Sequence, residues 1–318
     1  MNDILILGGS GFVGSALCET LVRHTGGGGM RITVPTRRIA RLKHLQTLPT
    51  VEVVQANLHD DGQLASLVAG RDAVVNLVAI LQGSEADFER VHSALPRRLA
   101  TACEAAGVRR VVHVSALGAD AQAPSMYLRS KAAGEAALQW PGALVTILRP
   151  SVIFGAGDSF LSLFARLQAV LPLVPLAGAG ARFQPVWVQD VAEAIVRALD
   201  TPAAAGQTLE CTGPRVYTLA ELVRLAGRWS GHRRPVLPLP DALARVQARL
   251  MEMLPGEPMM SRDNLRSMQV PNIASGHRPG LEQLGIVATA LEAIGPAMLG
   301  GGGEAARLNR WRAAVHSG

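Results

Sequence analysis

Aromatic residues are scarce in this sequence, at 4%, which removes the stacking platforms that bind single-stranded nucleic acid. Its three cysteines, Cys18, Cys103 and Cys211, are odd in number and each stands in apolar surroundings. They exclude a disulfide framework and read as small core residues in a reducing compartment. The eight histidines show no ligand spacing with cysteine or carboxylate, so no metal site is expected. No apolar run reaches the length of about eighteen residues needed to span a bilayer. The nearest stretch, Leu167 to Phe183, is interrupted by Pro172 and Pro175. Asp3 precedes the first apolar strand and no basic segment leads it, which argues against a signal peptide. The expected location is therefore the cytoplasm.

Lysine and tyrosine are rarer still. Of 31 basic residues only Lys43 and Lys131 are lysine, and the two tyrosines are Tyr127 and Tyr217. The net charge of +6 thus comes from arginines, which are dispersed and never form more than a pair. No nucleic-acid role is expected from such a surface. One scarce tyrosine and one scarce lysine stand together in Tyr127-Leu128-Arg129-Ser130-Lys131. On a helix, positions i and i+4 share a face, and an ammonium beside a phenol is expected to lower the phenol's pKa.

What remains is a chain of 318 residues with 48% hydrophobic and 18% charged residues, ample for a large core. Its first half alternates β-branched runs with helical patterns. Strands are expected at 3–8, 30–36, 51–56, 72–78, 109–115 and 143–149, and helices at 12–24, 61–69, 86–106 and 126–139. That alternation predicts an α/β fold, a doubly wound parallel sheet of Rossmann type covered on both faces. After Pro150 the rhythm changes. A loop and helix fill 156–182, strand–helix–strand returns at 184–212 with Asp190 heading a helix at 190–199, and helices follow at 218–230, 241–254 and 281–299. Asp190 is expected to cap its helix and to tie the second half to the first. Residues 1–155 and 184–212 are expected to form the dinucleotide-binding domain. Residues 156–183 and 213–318 would form a smaller, mostly helical region at a substrate cleft. The glycine runs Gly26 to Gly29 and Gly300 to Gly303 read as flexible turns.

The first strand runs directly into Gly8-Gly9-Ser10-Gly11-Phe12-Val13-Gly14 and then a helix. Glycines in that context permit a tight turn and close approach of backbone to a pyrophosphate, which the helix N-terminus attracts. At the end of the second strand, where a carboxylate would take the ribose hydroxyls of NAD, the chain has Arg37 and Arg38. Paired guanidiniums suit a 2′-phosphate, so NADP(H) is expected over NAD(H).

These residues resemble the extended and atypical short-chain dehydrogenase/reductases. Gly8, Gly11 and Gly14 match that family's G-x-x-G-x-x-G turn. Asn57-Leu58-His59-Asp60 is similar to its D-L-x-D adenine segment, and Asn76-Leu77-Val78-Ala79 to the strand end lining the cofactor. Tyr127 and Lys131 match Y-x-x-x-K, and Arg149-Pro150-Ser151-Val152-Ile153-Phe154-Gly155 matches R-P-x-x-x-Y-G. The segments 112–120, 183–192 and 284–286 resemble bacterial relatives of the Rossmann-type accessory subunit of respiratory complex I. The likeness covers roughly residues 3–230 well and the rest loosely.

The resemblance implies cofactor contacts from Gly8, Ser10, Gly11, Phe12, Val13, Gly14, Arg37, Arg38, Asn57, Leu58, Val78, Ala79, Lys131, Pro150 and Val152. It implies catalysis by Tyr127, Lys131 and Ser115: the lysine on the ribose hydroxyls, the tyrosine as proton donor or acceptor, the serine orienting the substrate oxygen. This chain departs from the family at Ala116, where a second hydroxyl is usual, at Asn57 in place of Asp, and at His92 in place of Asn. His92 reads as a satisfied helix residue rather than a base.

Two functions stay open. One is an NADP(H)-dependent oxidoreductase or epimerase acting on a small or lipid-like carbonyl or alcohol. The other is a non-catalytic NADP(H)-binding structural or sensor protein linked to the respiratory chain or quinone metabolism. Residues 241–254, followed by Met259-Met260, intersperse arginines with apolar residues at helical spacing. Such a helix either packs over the cleft or lies on anionic lipid, which would place the chain at the inner face of the membrane. The sequence does not indicate an oligomeric state.

Overall fold

A computed structural model of the chain describes residues 1–39, 42–252 and 260–300. Seven strands form one sheet: β1 (Asp3–Leu7), β2 (Arg31–Thr36), β3 (Val51–Gln55), β4 (Ala73–Asn76), β5 (Arg110–Val114), β6 (Leu144–Pro150) and β7 (Thr208–Cys211). Their order is β7-β6-β5-β4-β1-β2-β3, and every neighbouring pair is parallel. The chain runs outward from β1 to β3 and then returns to β4 on the other side of β1. The strand order therefore reverses between β1 and β4, where an open α/β sheet leaves a crevice at its carboxyl end. Leu7 pairs with Asn76 and Asn76 with His113, so the strands that supply the site end level with one another.

The helices are α1 (Phe12–His24), α2 (Asp61–Val68), α3 (Leu95–Ala106), α4 (Met126–Ala137), α5 (Leu161–Val170), α6 (Val188–Asp200), α7 (Leu219–Trp229), α8 (Asp241–Glu252), α9 (Arg262–Ser267) and α10 (Leu291–Leu299). Alternate residues of each strand serve opposite faces of the sheet. Ile4, Ile6, Ile32, Val34, Val75, Val112 and Leu148 pack under α1 and α6, with Leu17, Leu21, Val191 and Ile195. Leu5, Leu7, Val74, Val111, Val145 and Ile147 face α2 and α3, with Leu64, Val68, Leu95 and Leu99. Each such fully buried side chain contributes about 1.5–3 kcal/mol, which is why the strands read as unbroken apolar runs. Cys18, Cys103 and Cys211 are free and buried in these layers, and burial pushes each thiol up to about 12.

Outside the sheet, α5 and α7 enclose Phe164, Leu219, Val223 and Ala226 with a short strand, Val174–Leu176. Phe154, Leu161, Tyr217, Leu222 and Leu291 form an adjoining cluster. Among the described residues, no helix is long and apolar enough to cross a membrane.

Several expected elements differ. The helix expected at 86–106 is a turn at Glu85–Phe88, a π-helical segment at Glu89–Ala94 and then α3. Pro96 has no N–H for the carbonyl of His92, so the helix widens there. That carbonyl faces Gly134 of α4, where a Cβ would stand 2.1 Å from it. Asp190 is not a cap. Helix α6 starts at Val188, inside which the Asp190 carboxylate accepts the N–H and hydroxyl of Thr289 at 2.7 and 3.0 Å. The helix expected at 281–299 is a single turn, Leu281–Leu284, ended by Gly285 at φ 67°, and then α10. The helix expected at 241–254 is described to Glu252; it buries Ala244 and Ala248 and exposes Leu243 and Val246. Met253, Leu254, Met259, the end of the second glycine run and 304–318 lie outside the described residues. Two-residue strands at Ile153–Phe154, Arg182–Phe183, Val186–Trp187 and Tyr217–Thr218 are too short to leave a periodic signal.

Candidate active site

The turn after β1 is built so that nothing but glycine fits. Gly8 has φ 80°, and a Cβ on it would stand 3.0 Å from the backbone of Leu77 and Val78 at the end of β4. A Cβ on Gly14 would lie 2.4 Å from the Cα of Gly9. Gly11 is the N-cap of α1, with no side-chain cap and no acidic residue in the first turn, so the leading N–H groups and the positive dipole end are available to an anion. Ser10 is exposed, and Phe12 and Val13 are half-buried on that first turn. Gly155, past the end of β6, closes over it: a Cβ there would meet Val188 at 2.6 Å and the Phe12 ring at 3.4 Å.

On the β2 side of this turn, Arg37 and Arg38 are exposed and form no ion pair among the described residues. The Arg38 N–H bonds the Thr36 hydroxyl at 3.2 Å. Asn57 is exposed, and its side-chain oxygen accepts the His59 N–H at 3.0 Å. Leu58 is half-buried against the α2–α3 core, and Asp60 caps α2 through the Gln63 N–H. Burial, helped by Arg90, Arg98 and Arg37, holds His59 below the usual imidazole range.

On the β4 side, the Asn76 carboxamide holds two strand ends at once. Its oxygen accepts the Val78 N–H and its nitrogen faces Nδ1 of His113, both at 3.2 Å. Ala79 is exposed just beyond. The Ile80 N–H then donates to Nε2 of His92 at 3.0 Å. A ring nitrogen that accepts carries no proton, so Nδ1 holds it and donates to the Ser130 hydroxyl at 2.8 Å. Ser130 in turn donates to the carbonyl of Tyr127 at 2.7 Å. Burial and the nearby Lys131 push His92 down to about 3, and burial holds His113 well below the imidazole range. Both rings are neutral at physiological pH, so His92 is the satisfied helix residue expected.

Lys131 and Ser115 come together at the end of β5. The Lys131 ammonium is buried and donates to the carbonyl of Val114 at 2.8 Å, next to Ser115. Burial pushes it down to about 8, with Glu135 opposing. The Ser115 hydroxyl and Nε2 of His113 are buried without a hydrogen-bond partner among the described residues. Ala116 is buried beside the half-buried Tyr127. Pro150 lies alongside and accepts the Leu117 N–H at 3.0 Å, while the Val152 N–H donates to the Asn272 side chain at 2.9 Å. One expectation reverses here. Burial pushes the Tyr127 phenol up to about 12, and no hydrogen bond joins it to Lys131 among the described residues. Burial of the phenol alone sets this direction, with no offsetting contribution from the ammonium.

Residues invisible in the motif reading hold this edge in place. The Asp263 carboxylate, from α9, accepts the N–H groups of Met126 and Tyr127 at 2.7 and 3.0 Å. Asn272 binds the hydroxyl of Ser151 at 2.6 Å besides Val152. Arg149 and Glu135 form a buried two-pronged ion pair at 2.9 and 2.6 Å that ties β6 to α4. Of these, only the Arg149 of R-P-x-x-x-Y-G carried a signal, and its partner did not.

A model of the NAD dependent epimerase/dehydratase family matches residues 4–218. Over 294 residues the chain is 33% identical to a mouse (Mus musculus) protein, the mitochondrial NADH dehydrogenase (ubiquinone) 1 alpha subcomplex subunit 9, covering 90% of this chain and 77% of that one. It is 31% identical over 240 residues to ceramide reductase of Caulobacter vibrioides, covering 75% and 74%. In fold it is similar to an NADPH-dependent quinone oxidoreductase of Escherichia coli complexed with NADPH, with TM-score 0.73 and 20% identity over 91% and 97% of the two chains.

Proposed function

The chain belongs to the NAD-dependent epimerase/dehydratase family, and from that premise we propose that it is an NADP(H)-dependent oxidoreductase or epimerase acting on a small or lipid-like carbonyl or alcohol. One observation carries the reading: the buried, unpartnered Ser115 hydroxyl stands at the strand end where Lys131 and the Tyr127 helix converge. A buried hydroxyl without a partner is costly unless a ligand completes it.

The residues present fit a dinucleotide. Side chains at Gly8 or Gly14 would strike the backbone of Leu77 and Val78 or of Gly9, so the glycines keep the tight turn that a pyrophosphate's close approach needs. The turn and the first N–H groups of α1 would hold the pyrophosphate, with Phe12 and Val13 beside it. Arg37 and Arg38 would take a 2′-phosphate, and Asn57 and Leu58 would flank the adenine. Val78, Ala79, Pro150 and Val152 would line the nicotinamide end. The bound nicotinamide would supply or accept a hydride. Lys131 would hold the ribose hydroxyls, and Ser115 would orient the substrate oxygen. Tyr127, kept protonated by burial, would give its proton to that oxygen on reduction.

The domain division at 156–183 and 213–318 is part of this reading, since α9 holds the start of the Tyr127 helix and α8 packs on α9. A second reading rests on Ala116, which offers no second hydroxyl, and on the mouse relative named as a subunit of NADH dehydrogenase. It makes the chain a non-catalytic NADP(H)-binding protein of a respiratory complex. Exposed Leu243 and Val246 beside Arg245 and Arg249 support attachment to the inner face of the membrane, the rest of the chain being cytoplasmic.

The test is a screen of the purified chain against carbonyl compounds, quinones included, following NADPH oxidation. Turnover with any of them supports the oxidoreductase. Tight NADPH binding with no turnover across the set favours the structural reading.

A further inference from the structure

Two neighbouring cavities lie along α9, and their linings differ in kind. The first, about 410 Å³, has Gly83, Phe88 and Met126 in its wall. Its wall stands one side chain from the proposed reacting group: the Phe88 ring lies edge-on to that of Tyr127 at 6.2 Å, and Met126 precedes Tyr127 in the chain. The second, about 250 Å³, is lined by Arg245, Arg262, Leu265, Arg266 and Gln269. Arg262 and Arg266 line both, so the two lie side by side.

The charges in this double cavity do not balance. Among the described residues two carboxylates line it, Glu252 and Asp263, and both are committed. Glu252 binds the backbone N–H and the guanidinium of Arg262 at 2.7 and 2.8 Å, and Asp263 is held by the N–H groups that start α4. Among the described residues, Arg245 and Arg266 have no hydrogen-bonded carboxylate, and no carboxylate lines the second cavity. These guanidiniums come from two different helices, α8 and α9, and converge on one concavity, unlike the dispersed arginines elsewhere. A guanidinium-lined pocket of this kind favours an anion with several oxygens, which planar guanidiniums bind in pairs.

We propose that the substrate is an amphiphile with an anionic group of the phosphate type. Its apolar body lies along Phe88 and Met126 with the reacting carbon toward Tyr127, and its anion sits on Arg245 and Arg266. This rests on the reading of Tyr127 as the reacting group.

The experiment is calorimetric titration of the full chain with decyl phosphate, decanol, inorganic phosphate and vesicles containing anionic lipid. Decyl phosphate below its aggregation limit is expected to bind about tenfold or more tighter than decanol or inorganic phosphate. The double variant R245Q/R266Q is expected to lose that advantage, whereas R233Q/R278Q, an equal charge loss at exposed arginines elsewhere, keeps it. Three results overturn the proposal: decanol binding as tightly as decyl phosphate, inorganic phosphate doing so, or binding to anionic vesicles alone. NADPH oxidation followed in the same samples across the carbonyl screen separates the two claims: no turnover with the decyl phosphate preference intact fails the oxidoreductase reading alone, and turnover without that preference fails the amphiphile site alone.

Discussion

The ring of His92 stands edge-on to the ring of Tyr127, with centroids 5.7 Å apart and planes at 76°. The same imidazole accepts the Ile80 N–H and reaches the Tyr127 carbonyl through Ser130. His92 is thus a positioning residue that fixes the strand end after β4 relative to the tyrosine.

That arrangement requires a neutral ring, which sets a pH dependence. The folded value of about 3 lies below the ordinary 6.5, so the folded state binds fewer protons than the unfolded chain. Stability is fully present above pH 6.5 and is lost as the pH falls toward 3, at about 1.4 kcal/mol per unit for this group. Urea unfolding between pH 6.5 and 4.5 is expected to show a shallower loss in His92→Gln than in wild type, with His113 supplying the remainder. Equal slopes in both proteins would mean that His92 is not buried neutral.

Lys131 carries the opposite trade. Its folded value of about 8 lies below the ordinary 10.5. The folded state again binds fewer protons, and stability rises as the pH climbs from 8 to 10.5. At pH 7 the buried charge is a net cost, so Lys131→Met is expected to stabilise the fold by about 1–3 kcal/mol. The same change should weaken NADPH binding about tenfold or more, as a lost ribose contact would. A less stable Lys131→Met with unchanged NADPH affinity would assign the lysine a purely structural place.

Asp263 acts on the tyrosine from 136 residues away in the chain. Removing its carboxylate leaves the N–H groups of Met126 and Tyr127 without acceptors at a helix start. Asp263→Ala is expected to cost about 2–3 kcal/mol in thermal unfolding and to lower turnover while NADPH affinity holds. Full stability in that variant would show that Ser125, the N-cap of α4, is sufficient alone.

The proposed preference for NADP(H) is tested at Arg37. NADPH is expected to bind tighter than NADH in a fluorescence titration, and Arg37→Ala should erase the difference, about 1.5–3 kcal/mol for a charge-assisted contact. Equal affinity of the wild type for both would remove the preference.

The parts of this site that the sequence made legible are local. The glycine turn, Tyr127 with Lys131 and the apolar strands each lie within a few residues, where periodicity and spacing operate. The parts it concealed depend on distance. Asp190 looked like a cap because it stands near a helix start, yet its partner is Thr289, and Asp263 and Asn272 bond residues more than a hundred positions earlier. The π-helical segment had one cue, Pro96, whose missing N–H marks the true start of α3. The phenol of Tyr127 was misjudged because spacing shows that an ammonium is near but not how the fold desolvates the phenol.

The central claim is that Tyr127 donates a proton beside a nicotinamide cofactor, and the direct measurement is NADPH oxidation by wild type and Tyr127→Phe with any substrate that turns over. Loss of the hydroxyl is expected to lower turnover about 100-fold or more with NADPH affinity retained. Turnover undiminished in Tyr127→Phe would contradict the account.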